Sequence, residues 1–119
     1  MKGKFEGEYE VAIDERNRIM VPYKYRRIMK EKKSAWVLVP VKDEVFSLDV
    51  MTKKEYDALK ADLKEEAPRG RLNLMAEAQP MSMDHFGRLL LPLEFREYFR
   101  NKALVLGAGE YFCIDPISQ

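Results

Sequence analysis

The sequence predicts a mixed α/β fold, mostly β, made of two tandem copies of one strand–turn–strand–helix–strand–turn–strand motif. Three observations predict it: an ungapped internal match at a spacing of 70 residues, an Asp-x-x-x-Arg turn in each matched block, and a Pro followed by an apolar helical face after each turn. Shifted by 70 residues, Ile13-Asp14-Glu15-Arg16-Asn17-Arg18-Ile19-Met20-Val21-Pro22 falls on Met83-Asp84-His85-Phe86-Gly87-Arg88-Leu89-Leu90-Leu91-Pro92. The register continues, with Tyr25, Arg26, Ile28 and Met29 meeting Phe95, Arg96, Tyr98 and Phe99. A second match, at slightly different offsets, sets Trp36-Val37-Leu38-Val39 on Leu104-Val105-Leu106, and Val45-Phe46-Ser47-Leu48-Asp49 on Tyr111-Phe112-Cys113-Ile114-Asp115. Similarity at a fixed period marks a repeated structural unit.

Each element has a local reason. Val11 and Ile13 alternate with polar neighbours, as a half-buried strand requires. The turn that follows needs a left-handed residue at its fourth position. Gly87 adopts that conformation without steric cost and Asn17 is the next best choice. Asp14 and Asp84 open the turns, where a carboxylate accepts main-chain N–H bonds and fixes the shape. Pro22 and Pro92 suit the first helical position, where no N–H is needed. Tyr25, Ile28 and Met29, and Phe95, Tyr98 and Phe99, fall at i, i+3, i+4, so each set is one buried helix face. Between the copies, Thr52-Lys53-Lys54-Glu55 is a capping box. The helix it opens carries Tyr56, Leu59 and Leu63 on one face and is expected to pack on the sheet and stop before Pro68 and Gly70.

The expected organisation is a first repeat over residues 1–50, a connector helix over 51–70 and a second repeat over 71–119. Some 50 residues of short strands and one helix bury too little to stand alone, so the two repeats are expected to clasp each other around one core as a pseudo-twofold unit. Apolar residues at 46% and interspersed charge at 34% exclude intrinsic disorder. No apolar run reaches the roughly 18 residues of a membrane span, and the start, Met1 to Glu8, lacks the apolar run of a secretory signal. A single cysteine permits no intrachain disulfide. A cytoplasmic protein without membrane contact is expected.

The segments from Gly7-Glu8-Tyr9 through the two blocks ending at Pro22 and Pro92, with the closing strand pair, resemble the signature blocks of the MraZ family over nearly the whole chain. The resemblance implies a double copy of the AbrB/SpoVT-like swapped-hairpin fold, with β-barrel half-domains and short helices. It also implies a bacterial transcriptional regulator that assembles into rings of many subunits. Such a protein binds repeated sites on double-stranded DNA upstream of the cell-division and cell-wall gene cluster, and associates with the nucleoid. Two departures stand out. Asn17 replaces the Gly usual in the first turn, which is expected to preserve the shape and change how closely a phosphate approaches. The chain ends at Pro116-Ile117-Ser118-Gln119 where relatives usually continue into a C-terminal helix, which bears on subunit packing more than on the fold.

The net charge of +1 hides a gradient. Asp14 to Lys33 holds eight Lys or Arg against three acids, whereas Lys42 to Glu66 holds five against eight. Local positive charge suits a polyanion, although a solvated helix face has the same composition. Arg reaches phosphates or reads guanine through two hydrogen bonds. The candidate DNA contacts are Arg16 and Arg18, with Lys24, Arg26 and Arg27 behind them for phosphates, and Arg88 in the second turn. The other reading of Arg18 and Arg88 is structural: each pairs with its own Asp14 or Asp84 and, with Asn17 and Gly87, holds the turn. Because Asp84 to Lys102 has only four basic residues against three acids, the first turn is expected to be the better reader.

Other chemistries find little support. One His and one Cys are too few for a standard zinc site. His85 is expected to be an exposed turn residue, and Cys113, matched by Ser47, a small packed one. Gly107-Ala108-Gly109 precedes a strand and not a helix, so it is a turn and not a phosphate loop. No Asp or Glu sits in a setting apolar enough to tune it for acid–base work. The expectation is a protein with no catalytic residues, metal, cofactor or small-molecule substrate. The alternatives are a ring-forming protein scaffold whose charged turns bind protein, and an antidote-type regulator, disfavoured because no tail follows Asp115.

Overall fold

The computed structural model describes residues 3–42, 45–66 and 78–117, with residues 63–66 in backbone only. The elements follow the repeated order. In the first half β1 (Glu8–Ala12) and β2 (Arg18–Met20) precede α1 (Tyr23–Lys32), β3 (Trp36–Lys42) and β4 (Phe46–Thr52). Helix α2 (Lys53–Glu66) connects them to β5 (Gln79–Pro80), β6 (Arg88–Leu90), a 3-10 helix (Leu93–Tyr98), β7 (Lys102–Gly107) and β8 (Phe112–Pro116). The result is a mostly-β fold with a few short helices. Pro68 and Gly70, the expected stop for α2, lie outside the described residues, as do all of residues 67–77.

The two arms flanking each Asp-x-x-x-Arg turn join different sheets. Six strands form one antiparallel sheet in the order β1-β7-β8-β4-β3-β5, while β2 and β6 form a separate two-stranded ribbon. Across each turn only one bridge remains, Ile13 to Ile19 and Met83 to Leu89. Residues matched by the internal repeat sit opposite one another at the centre of both sheets. Ile19 faces Leu89 in the ribbon, and Leu48 faces Ile114 where β4 meets β8. The exchange is reciprocal: Val21 N–H donates to Gly87 O at 3.0 Å and Leu91 N–H to Asn17 O at 2.8 Å. Ile19, Val21, Leu48, Leu89, Leu91 and Ile114 are all buried, each side chain contributing about 1.5–3 kcal/mol by leaving water.

Aromatic residues fill the rest of the core. Tyr25 of α1 meets Phe5 edge-on at 5.0 Å and Phe112 at the same distance, and its hydroxyl lies 2.8 Å from the Glu6 carbonyl and 3.1 Å from that of Gly7. Phe46 of β4 reaches the second half, where it stacks on Tyr98 at 3.9 Å and meets Phe95 and Phe99. The anticipated second α-helix is a six-residue 3-10 helix. Only eight residues separate Leu93 from the start of β7, against twelve from Tyr23 to the start of β3. A 3-10 helix rises about 2.0 Å per residue against about 1.5 Å for an α-helix, so it crosses the same sheet with fewer residues. Phe95 is buried from the helix, Phe99 reaches the core from extended backbone, and Tyr98 is half-buried. Pro22 and Pro92, expected as first helical residues, instead precede them with extended ψ values of 140° and 148°.

Thr52 and Glu55 form the capping box: Glu55 N–H donates to Thr52 Oγ1 at 3.1 Å, and Thr52 N–H to Glu55 Oε1 at 3.1 Å. Tyr56 of α2 packs on Val37, Val39 and Met51, a second apolar cluster on the outer sheet face. Leu59 is exposed, and the side chain of Leu63 lies outside the described residues. Beside that cluster two sequence expectations need correction. Cys113 is half-buried within a polar group, its thiol donating to Asp49 Oδ1 at 3.2 Å, and Ser47 donates to Asp115. Burial and the neighbouring Asp49 push the Cys113 thiol up to about 12. Asp49 does occupy a poorly solvated setting, because strand alternation sets it between Val39 and Cys113 on an interior strand, and burial pushes its carboxyl up.

Candidate nucleic-acid interface

The two turns have one construction. In the first, Asp14 Oδ1 accepts the N–H of Arg16 and of Arg18, both at 2.9 Å, and Oδ2 accepts Arg18 Nε at 2.9 Å. In the second, Asp84 Oδ1 accepts the N–H of Phe86 at 3.0 Å and of Arg88 at 2.9 Å, and Oδ2 accepts Arg88 Nε at 2.8 Å. The main-chain N–H of Arg18 is the first cause holding the Asp14 carboxyl below its ordinary range, and that of Arg88 does the same for Asp84. Both carboxylates therefore stay ionised. The fourth turn residues are left-handed as required, Asn17 at φ 60° and Gly87 at φ 91°. The structural pairing of Arg18 and Arg88 with their own aspartates is thus present in both turns.

The antiparallel ribbon sets the two turns at its opposite ends, Asn17 against Leu91 and Gly87 against Val21. Arg18 pairs with Leu90 and Met20 with Arg88 on its outward face, and Arg18 Nη1 also lies 3.8 Å from Asp84 Oδ2. Arg16 is exposed at the tip of the first turn, where the second carries Phe86, whose ring lies 4.9 Å from the Arg88 guanidinium. Five large apolar side chains border this face in the open: Met20, Tyr23, Phe86, Leu90 and Leu93.

Helix α1 does not stand behind the first turn, as its sequence position suggests, but beside the second. Arg26 Nε donates to Val21 O at 3.0 Å and Nη1 to Phe86 O at 3.3 Å. Arg27 lines an open concavity of about 400 Å³ with Asp84, His85 and Gly87. Lys24 lies on the neighbouring face of α1, in a separate hollow with Lys4, Glu6 and Tyr9. Sequence reasoning overlooked Tyr23 and Lys30, which share the larger concavity. The spacing Tyr23, Arg26, Arg27, Lys30 marks one helix face, but nothing local indicates that this face meets a turn some 60 residues later. His85 is exposed, its ring 4.0 Å from that of Phe86.

Among the described residues, no group of three or more His, Cys, Asp and Glu side chains is arranged to hold a metal ion, and no helix is long and apolar enough to cross a membrane. A family model described as "MraZ protein, putative antitoxin-like" matches residues 4–71. Similar curated proteins are named Transcriptional regulator MraZ. One from Treponema denticola is 27% identical over 124 residues, covering 95% of this chain and 82% of that protein. One from Hydrogenovibrio crunogenus is 28% identical over 116 residues, covering 91% and 76%. One from Coxiella burnetii is 26% identical over 117 residues, covering 91% and 76%. With the family model spanning more than half of its length, the chain belongs to the MraZ family.

Proposed function

We propose that the chain is a sequence-specific, DNA-binding transcriptional regulator without enzymatic activity. It works in the cytoplasm at the nucleoid and binds repeated sites upstream of the cell-division and cell-wall gene cluster as a ring-shaped homo-oligomer. Its similarity to proteins named as transcriptional regulators supports the regulatory part. The observation that carries the DNA part is the antiparallel ribbon that joins the two Asp-x-x-x-Arg turns and sets Arg18 and Arg88 on its outward face, with Arg16 exposed at the tip of the first turn. A two-stranded ribbon fits the major groove. In each turn the bond to its own aspartate uses Nε, and although Arg18 Nη1 also faces Asp84, terminal guanidinium nitrogens of both arginines serve as the donors for a base or phosphate. Arg26, committed to two carbonyls, adds charge and holds the second turn, while Lys24 and Arg27 contact phosphates. Linked copies in a ring raise the effective concentration of each further contact, which reconciles a net charge of +1 with tight binding. The palindromic strand order and the facing repeat positions support a duplicated swapped-hairpin architecture, in which 1–50 and 71–119 form one unit joined through 51–70.

The test is a gel-shift titration of Arg18→Ala on duplexes carrying the upstream repeats, with circular dichroism on the same sample. A folded variant with lowered specific affinity is expected. Undiminished affinity removes Arg18 from the role.

The exposed apolar border of the ribbon favours a second reading, a ring-forming scaffold that binds protein through this face, with DNA incidental. Binding to repeat-containing and scrambled duplexes across a salt series separates the two. A steep salt slope with preference for repeats supports the reader, and no preference at any salt supports the scaffold.

A further inference from the structure

The concavity beside the second turn has a charge its counterpart lacks. It is lined by Arg26, Arg27 and Lys30 of α1 and by one acid, Asp84, whose carboxylate is already engaged by Arg88 and two main-chain N–H groups. The matching positions across the internal repeat read differently. Arg96 and Arg100 correspond to Arg26 and Lys30, but Glu97 replaces Arg27 and Glu15 replaces His85, with Asp14 in the place of Asp84. One side of the pseudo-twofold is therefore basic and the other acidic.

The basic side is also built to stay open and charged. Gly87 has no side chain, and the stem of Arg26 occupies its place: a Cβ there would meet Arg26 Cδ at 2.2 Å. Two carbonyls hold the Arg26 guanidinium, which lies 5.3 Å from the Tyr23 ring centroid. Arg27 and Lys30 are exposed at the rim, one helical turn apart within the same face. Fixed charge on the floor with mobile cations at the rim suits an anion with several oxygens, and a volume of about 400 Å³ has room for more than one phosphate group.

We infer that this concavity seats a phosphodiester of the DNA backbone, so that the second turn has beside it a phosphate seat that the first turn lacks. The inference rests on the DNA-binding reading and deepens it. Arg26 supplies a fixed field, Arg27 and Lys30 donate to the phosphate oxygens, and Tyr23 and His85 offer further polar contacts at the wall.

The experiment is fluorescence anisotropy of the full chain with repeat and scrambled duplexes over a potassium chloride series, comparing Arg27→Ala, Lys30→Ala and Arg100→Ala, with circular dichroism to verify folding. Arg27→Ala and Lys30→Ala are expected to weaken both duplexes alike, keep the preference for repeats, and each make the log–log salt slope shallower by about one. Arg100→Ala, in the acidic counterpart, is expected to leave the slope unchanged. If the unaltered chain binds DNA but Arg27→Ala and Lys30→Ala keep its slope, or Arg100→Ala lowers it equally, the seat is overturned and DNA binding stands. If the unaltered chain binds neither duplex at low salt, both readings fall. Saturable binding of inorganic phosphate that Arg27→Ala abolishes while duplex binding is unaffected assigns the concavity to a free anion and overturns the proposal.

Discussion

Replacing Gly87 by Ala acts on the second turn in two separable ways. The residue has φ 91°, and an L side chain in the left-handed region costs roughly 1–2 kcal/mol. Its new Cβ would also lie 2.2 Å from Arg26 Cδ and 2.7 Å from Nε, so the Arg26 side chain must withdraw. Arg26 then gives up its bond to the Val21 carbonyl, a charge-assisted bond of about 1.5–3 kcal/mol. The Phe86 carbonyl belongs to an exposed residue and returns to water at little cost. Gly87→Ala is expected to destabilise by about 2.5–5 kcal/mol in total, a large share of the roughly 5–15 kcal/mol typical of a domain. Arg26→Ala alone loses the carbonyl bond and removes the obstruction. In that background Gly87→Ala should cost only the backbone part, about 1–2 kcal/mol. Urea unfolding followed by circular dichroism at one protein concentration gives the four corners of the cycle. The reasoning is refuted if the two substitutions add to within about 0.5 kcal/mol, because groups that do not touch behave that way.

Two further substitutions probe the sheet and the connector. Burial raises the folded-state pKa of Asp49, so the stability it contributes is whole below the unfolded-state value and is lost as pH rises through the folded-state one; Asp49→Asn should therefore stabilise at pH 7, with the gain gone by about pH 3, where the unfolded carboxyl is also protonated. An equal gain at both pH values, read from urea midpoints, would sink that account. Thr52→Ala removes the capping box and should cost about 1 kcal/mol. Amide exchange is expected to quicken in the first turn of α2 while the β4 strand stays protected, and unaltered exchange there would show the cap to be idle.

Much of the turn chemistry was legible in the sequence because it is local. Asp14, Asn17 and Arg18 lie within five residues, and their bonds follow from what a carboxylate and a left-handed residue do in a tight turn. The same holds for Thr52 and Glu55. What sequence spacing hid was which half supplies the neighbours of each turn. Arg26 lies eight residues from Arg18 in the chain, yet its guanidinium rests on Phe86, because β2 leaves its own hairpin to pair with β6 and carries α1 across. The 3-10 helix was missed for a similar reason. Apolar spacing at i, i+3, i+4 fits both helix types, and the short path from Leu93 to β7 decides between them. Asp49 was misjudged because its sequence neighbours reveal strand alternation but not the cross-strand residues that shield it.

The two halves agree where packing and turn geometry constrain them and differ where water does. Ile19 and Leu89, Val21 and Leu91, and Leu48 and Ile114 are apolar and buried in both halves. Asp14 and Asp84 fix the turns identically, and Arg26 and Arg96 each donate Nε to the carbonyl of the residue before the Pro. Pairs that differ in charge, such as Arg16 with Phe86, Arg27 with Glu97 and Glu15 with His85, are exposed. Surface substitutions typically change stability by less than about 0.5 kcal/mol, so charge was free to gather on one side without loss of fold. A symmetric core and an asymmetric rim have a definite consequence for the turn. The first Asp-x-x-x-Arg copy keeps the arginine-rich tip, while the cations of the first helix serve the second copy. The two turns therefore differ in their surroundings though not in their construction.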